Sequence, residues 1–192
     1  MAVIGLSKPM VAKYGYSGNA VTYSGGAVLG KAVSFSAELE EGDSNDLYGD
    51  NGICETDKSF VGGTMTIGTD DLTQEASILI LGITPTEIEG ATELVYNDDM
   101  SVPYLGFGCV VKKKKDGAYK WRAVVFPKIM FNLPAEAAET QGETIEWQTP
   151  ELTATILRDD TEKHNWKREA TFETEAEAVA YIKEKLNITD AA

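Results

Sequence analysis

The sequence predicts an α+β domain dominated by antiparallel β-sheet, closed as a β-sandwich or barrel with one or two helices alongside. Three observations carry this. First, Val33, Phe35, Ala37 and Leu39 alternate with Ser34, Ser36, Glu38 and Glu40. Period-two alternation is the mark of a half-buried strand. Second, two Val- and aromatic-rich runs flank Asp116-Gly117, and Asp-Gly supplies the positive φ angles that a two-residue hairpin turn demands. Third, Thr174 precedes Glu177 by three residues, the spacing of a capping box.

The elements follow in order. Residues 1–30, rich in Gly, Ser and Tyr with Pro9 and Gly25-Gly26, read as an N-terminal arm with short extended pieces such as Ala20–Tyr23. Lys31–Glu40 is the alternating strand, and residues 42–62 are a long loop. Thr64–Thr69 alternates again. Asp70 or Asp71 caps a helix over Leu72–Leu81, ended by Gly82 at the C′ position and by Pro85. After a Glu-rich connection, Val102–Val111 and Tyr119–Phe126 form the Asp116-Gly117 hairpin. Thr144–Trp147, Leu152–Leu157 and Trp166–Phe172 are further strands. Residues 174–186 form a closing helix with the packed stripe Val179, Ile182, Leu186. No internal repeat interrupts this, and 192 residues suit a single domain, 1–192.

An apolar fraction of 43% and a charged fraction of 25% are those of an ordinary soluble protein. There is no eighteen-residue apolar run and no signal-like start, so the chain is expected in the cytoplasm until it is assembled into something larger. Its net charge of −14 supplies no basic face for gripping DNA, and an acidic surface beside DNA lets it pass without sticking. Cys54 and Cys109 match no zinc spacing and read as free thiols in a reducing compartment.

Reaction chemistry finds little to stand on. His164, the only histidine, lies between Lys163 and Asn165 and reads as an exposed loop residue. Asp70-Asp71, Asp98-Asp99 and Asp159-Asp160 fall where turns or helix starts are predicted, where Asp is used for capping. A calcium loop starting at Asp43 fails, with Tyr48 where Gly is required and Cys54 where Glu is required. Gly62-Gly63, Gly106 and Gly108 make no phosphate cradle, and the latter two mark close approach within a strand. No catalytic, cofactor-binding or metal-ligating residue is therefore assigned, and no cofactor.

The 42–62 loop stands apart. It is polar and Gly-rich yet carries Leu47, Tyr48, Ile53 and Phe60 around Asp50 and Asn51. That is too anchored for disorder and too poor in nucleophiles for catalysis, which leaves a surface for another chain. Lys112, Lys113, Lys114 and Lys115 hold 4 of the 17 basic residues. They read either as a solvated edge that blocks aggregation or as a contact for an acidic patch on a neighbouring copy.

Leu47-Tyr48-Gly49-Asp50-Asn51 with Glu55 and Phe60, then Tyr96–Asp99 and Pro103–Gly108, then Phe126-Pro127-Lys128, then 142–150, then Trp166-Lys167, Ala170–Phe172 and Thr174–Ala178, occur in the order seen in one family. In these blocks, from about Lys31 to Leu186, the chain resembles the major tail proteins of long-tailed bacteriophages of Gram-positive hosts. The resemblance implies a tail tube subunit: a β-sandwich with a flanking helix whose copies form hexameric rings. The rings stack around a tape measure protein into a conduit for DNA delivery in the virion tail, with tail tip or terminator proteins at its ends. DNA passes through without specific binding, and no membrane is involved. The C-terminal immunoglobulin-like domain of some members has no counterpart in these 192 residues. Two other classes predict different behaviour. A tube protein of a contractile injection or type VI secretion system also self-associates, whereas a carbohydrate-binding or carbohydrate-processing β-sandwich, using Trp121, Trp147 or Trp166 as a sugar platform and an Asp pair for catalysis, is a monomer with a concave site.

Overall fold

The structure, a computed structural model, describes residues 1–135, 140 and 149–189, with the backbone alone at residues 45, 49 and 57. The elements are β1 (Ala2–Ser17), β2 (Ala20–Val28), β3 (Ala32–Glu41), β4 (Asn45–Gly49), β5 (Gly52–Asp57), β6 (Phe60–Thr69), α1 (Gln74–Leu81), β7 (Pro85–Ile88), β8 (Ala91–Leu94), β9 (Leu105–Lys115), β10 (Ala118–Phe131), β11 (Glu151–Leu157), β12 (Arg168–Phe172) and α2 (Glu175–Lys185). The chain is α+β and mainly antiparallel, as expected. The strand predicted at Thr144–Trp147 lies outside the described residues.

One eight-stranded sheet runs in the order β2-β1-β9-β10-β11-β6-β3, with β12 also paired to β10. Long β10 serves two partners along one edge: Trp121–Val125 pair with β12 and Lys128–Phe131 with β11. The expected closure does not occur. Among the described residues β3 is paired only to β6, and the Ala2–Ser7 half of β1 only to β9. The sheet curls instead, bringing β3 back over β9 and β10, so that Phe35 stacks on Phe107 with centroids 5.9 Å apart and lies 6.3 Å from Phe126.

Each face of the curled sheet has its own core. Phe107, Phe126, Phe131, Met65 and Ile67 fill the inner side with Ile80 and Leu81 of α1. On the outer side Met10, Val110 and Val125 meet Ala178 and Ile182 of α2 and its C-cap Leu186. The stripe predicted for this helix is the packed one, with Val179 at its margin. Its capping box is formed: Thr174 Oγ1 accepts from Glu177 N, and Glu177 Oε2 accepts from Thr174 N. Gly106 and Gly108 are the near approach anticipated for strand glycines, here to a helix. A Cβ at Gly108 would lie 2.4 Å from Ile182 Cγ2, and one at Gly106 2.6 Å from Leu186 Cδ2.

Three local expectations are corrected. The N-terminal arm is two full strands of the main sheet, with Met10, Val11 and Ala12 buried. Register shifts at Val3/Gly5, Ser7/Met10 and Val11/Lys13 erase its alternation, and Lys8 takes φ 53° inside one of them. Helix α1 is capped by Thr73, whose Oγ1 accepts from Ala76 N, because Asp70 is engaged elsewhere through Lys31 N (2.7 Å). Gly82 ends it with φ 67°, as expected. The Glu-rich connection contains a hairpin, β7–β8, which Pro85 opens instead of merely breaking the chain.

Candidate assembly surfaces

The long 42–62 loop is a hairpin. β4 and β5 pair only with each other, and the two turn residues Asp50 and Asn51 adopt φ 48° and 67°. Paired positive φ angles match the right-handed twist of the strands they join. Gly42 N donates to Ser59 O (2.8 Å) at the base, Lys58 pairs with Glu41 (3.5 Å), and Thr56 Oγ1 donates to Asp46 across the ladder. Leu47, Tyr48 and Ile53 are 61%, 67% and 58% exposed. Phe60 differs from them: it is half-buried and lies flat on Trp166, 4.5 Å between centroids and 8° between planes. It anchors the hairpin to the body and is not part of the free surface.

Lys112–Lys115 lie within β9 and not in the turn, which is Asp116-Gly117 at φ 53° and 82°. β9 is paired on both sides here, to Ala2, Val3 and Gly5 of β1 and to Ala118–Trp121 of β10. Lys112, Lys113 and Lys114 therefore guard no sheet edge. Alternation sends Lys112 and Lys114 to the face carrying Tyr119 and Trp121: Lys112 Nζ sits 4.7 Å and 5.4 Å from those ring centroids, and Lys114 Nζ 5.1 Å from Tyr119. Lys113, directly opposite Lys120, points to the other face. There Lys120 pairs with Glu173, Lys167 with Glu169 (3.0 Å), and Arg122 is 3.7 Å from Glu169. These cations hold the Glu169 carboxyl below its ordinary range, Lys167 chiefly by hydrogen bonding.

Between the two unpaired edges lies a cleft of about 560 Å³. Val3–Leu6 of β1 form one wall, Val33–Ala37 of β3 the other, and Val111, Val124 and Phe126 the floor, with Arg122 and Lys167 at its rim. Val33, expected inside, is 56% exposed because it falls in the register shift between Ala32 and Ser34 of the β3–β6 ladder. Arg122 Nε is buried without a partner among the described residues. No local pattern announces this cleft, since its walls are some thirty residues apart in sequence.

A polar cluster joins β1 and β10 to the β11–β12 connection. Lys128 Nζ donates to Asp160 Oδ2 (2.7 Å) and sits over the rings of Tyr14 (5.1 Å) and Tyr104 (4.6 Å). Tyr14 Oη donates to the same oxygen (2.8 Å). Both hydrogen bonds hold the Asp160 carboxyl below its usual range, Lys128 first. Burial pushes the Tyr14 hydroxyl up to about 12. Buried Asp159 accepts from Thr161 N and Oγ1 and from Asn165 N and Nδ2. With every donor committed to folding the connection, the Asp pair is a structural knot. His164 is exposed at φ 48°, its Nδ1 3.3 Å from Asp159 O.

The remaining candidates stay scattered. Asp98-Asp99 sit in a turn where Asp99 N donates to Asn97 Oδ1 (3.1 Å). Trp121 has Lys112 on one face and Trp166 has Phe60, while Trp147 is outside the described residues. Cys54 is exposed and Cys109 buried, and they form no disulfide. Among the described residues no three His, Cys, Asp or Glu side chains gather as a metal site, and no helix is long and apolar enough to cross a membrane. No protein-family model matches the chain, nor does any curated protein.

Proposed function

We propose that this chain is a structural subunit that assembles with copies of itself, and that the assembly is a phage tail tube through which DNA is delivered. The β4–β5 hairpin carries this reading. A two-stranded hairpin alone is marginal in water, yet this one stands off the main sheet holding Leu47, Tyr48 and Ile53 outward. Each of those side chains would contribute roughly 1.5–3 kcal/mol if fully buried against a neighbour. The unpaired edges of β3 and of Ala2–Ser7 support the same reading, because an exposed edge is a template for another strand. With a net charge of −14, tube walls built from such subunits repel the DNA they conduct.

Electron microscopy and sedimentation of the purified chain test the proposal. Rings or tubes with a central hole are expected at high protein concentration. Excising residues 43–58 and joining Gly42 to Ser59 by a two-residue turn should leave a folded monomer, since those residues are already hydrogen-bonded. A wild type that stays monomeric at all concentrations overturns the reading. Tubes from the excised form remove the hairpin from the interface.

A further inference from the structure

The β9–β10 corner of the sheet and its opposite end carry opposite charge. Strand register fixes which elements share an end. The β9–β10 turn lies at one end, with Lys112–Lys115 leading into it. At the other end of β10, Phe131 pairs with Ala154 near the start of β11, Gly68 faces Glu151, and Thr69 N donates to Pro150 O. Helix α1 leaves from there. Gln74 Nε2 reaches Thr92 O, tying β7–β8 to α1, and Tyr14 N donates to Tyr104 O (2.8 Å), tying down the 95–104 segment.

This second end is built from a stretch without a single Lys or Arg between Ser59 and Val111, but with Asp70, Asp71, Glu75, Glu87, Glu89, Glu93, Asp98 and Asp99, all exposed. Cations beside it are Lys31, 3.8 Å from Asp70, Lys13, opposite Leu105, and Lys128, which sits over Tyr104 but is paired to Asp160. At the lysine end no described carboxylate lies within 4.0 Å of Lys112, Lys113, Lys114 or Lys115, although Lys113 acts on Glu169 at longer range. The 14 residues of β10 put roughly 40 Å between the ends at about 3.3 Å per residue, whereas charges in physiological salt are screened within about 8 Å. The two ends do not neutralise each other within one molecule.

We infer that the lysine end of one copy docks on the acidic α1/β7–β8 end of the next, making a head-to-tail contact. The occupant is a second copy because the lysine corner is the electrostatic complement of the acidic end, and a heterologous contact between unlike surfaces propagates. Apolar side chains are placed to match. The β4–β5 hairpin continues from the ends of β3 and β6 nearest the lysine tip, offering Leu47, Tyr48 and Ile53, and the acidic end exposes Ile88, Val95 and Tyr96. An apolar centre with a charged rim is the usual anatomy of an interface. Glu41, Asp43, Asp50 and Glu55 at the hairpin make their part of the lysine end acidic, and Asp116 and Glu173 border the lysines, so the contact is made by the β9–β10 half alone. This inference rests on the self-assembly reading above and gives the contact a direction.

A charge-exchange experiment on the full chain tests it. The tip variant K113E/K114E/K115E keeps Lys112 over its aromatic rings, and the end variant E87K/E89K/E93K changes only exposed positions. Each alone should lose at least tenfold of the assembled fraction seen by sedimentation at low salt. An equimolar mixture should recover it, because the acidic tip of one then meets the basic end of the other, and the recovery also proves both variants folded. Wild-type assembly should fall steeply as NaCl rises. If the wild type assembles but the tip variant does so equally well, the head-to-tail contact is wrong while self-assembly stands. If the mixture fails to recover, it is likewise wrong. If the wild type never assembles, the self-assembly reading falls and takes this contact with it.

Discussion

At the residue scale, position in the curled sheet decides chemistry that residue type alone leaves open. Cys54 and Cys109 are equivalent in the sequence, but Cys109 is sealed in the inner core and its thiol is pushed up to about 12 by burial, only partly offset by Arg122. Only the thiolate attacks a disulfide reagent, so at pH 8 an aromatic disulfide should titrate one fast thiol, Cys54, in the folded protein and two in denaturant. Two fast thiols in the native state would mean that the inner core opens readily. The residues legible from sequence are those whose partner is close in the chain: Thr174 with Glu177, Gly82 after α1, and Asp116-Gly117. The α1 cap was not, because Asp70, Asp71 and Thr73 all offer a capping oxygen. What takes Asp70 out of the choice is Lys31, 39 residues away.

At the element scale, α2 was legible in full and β1–β2 was hidden. The helix announces itself by a period that holds from Ala178 to Leu186. β1 breaks its own period with bulges, and its buried run Met10–Ala12 packs on both faces at once, as central strands do. The 42–62 segment reads as a loop with four anchors, whereas it is a hairpin in which Phe60 packs on the body and Leu47, Tyr48 and Ile53 are exposed; a register shift at Leu47/Tyr48 masks its alternation. The glycines of β9 explain how α2 can lie so close to the sheet. Gly108→Val should force Ile182 away from its seat, destabilising the fold by about 1–3 kcal/mol as overpacked cores do. Urea denaturation would show this as a lower midpoint with an unchanged slope. Stability equal to the wild type would mean that α2 is loosely held. By contrast, the same substitution at Gly117, where φ is 82° and nothing stands within 4 Å, is a matter of backbone strain alone.

For the whole molecule, the sheet's openness could not be read from the sequence at all, because closure depends on whether strands some thirty residues apart meet. The sequence periodicities that predicted strands say nothing of which edges stay free. That openness has a thermodynamic consequence. If, as proposed, the β3 edge, the β1 edge and the β4–β5 hairpin are covered by other copies, the subunit gains stability from assembly, since partners that bind the native state and not the unfolded chain shift the equilibrium by mass action. At a subunit concentration about a hundredfold above the dissociation constant of the contact, the gain is about 2.7 kcal/mol. For a chain of this size about 1 kcal/mol moves Tm by roughly 2–4 °C, so Tm should climb by roughly 5–10 °C as protein concentration rises through that range. Scanning calorimetry over a hundredfold dilution series measures it directly. The same series in high salt should flatten, because the charges that orient one copy on the next are then screened. A Tm independent of concentration at low salt would identify a self-sufficient monomer. The exposed hairpin and free edges would then have to be stable in water by themselves, which a lone two-stranded ladder is not expected to manage.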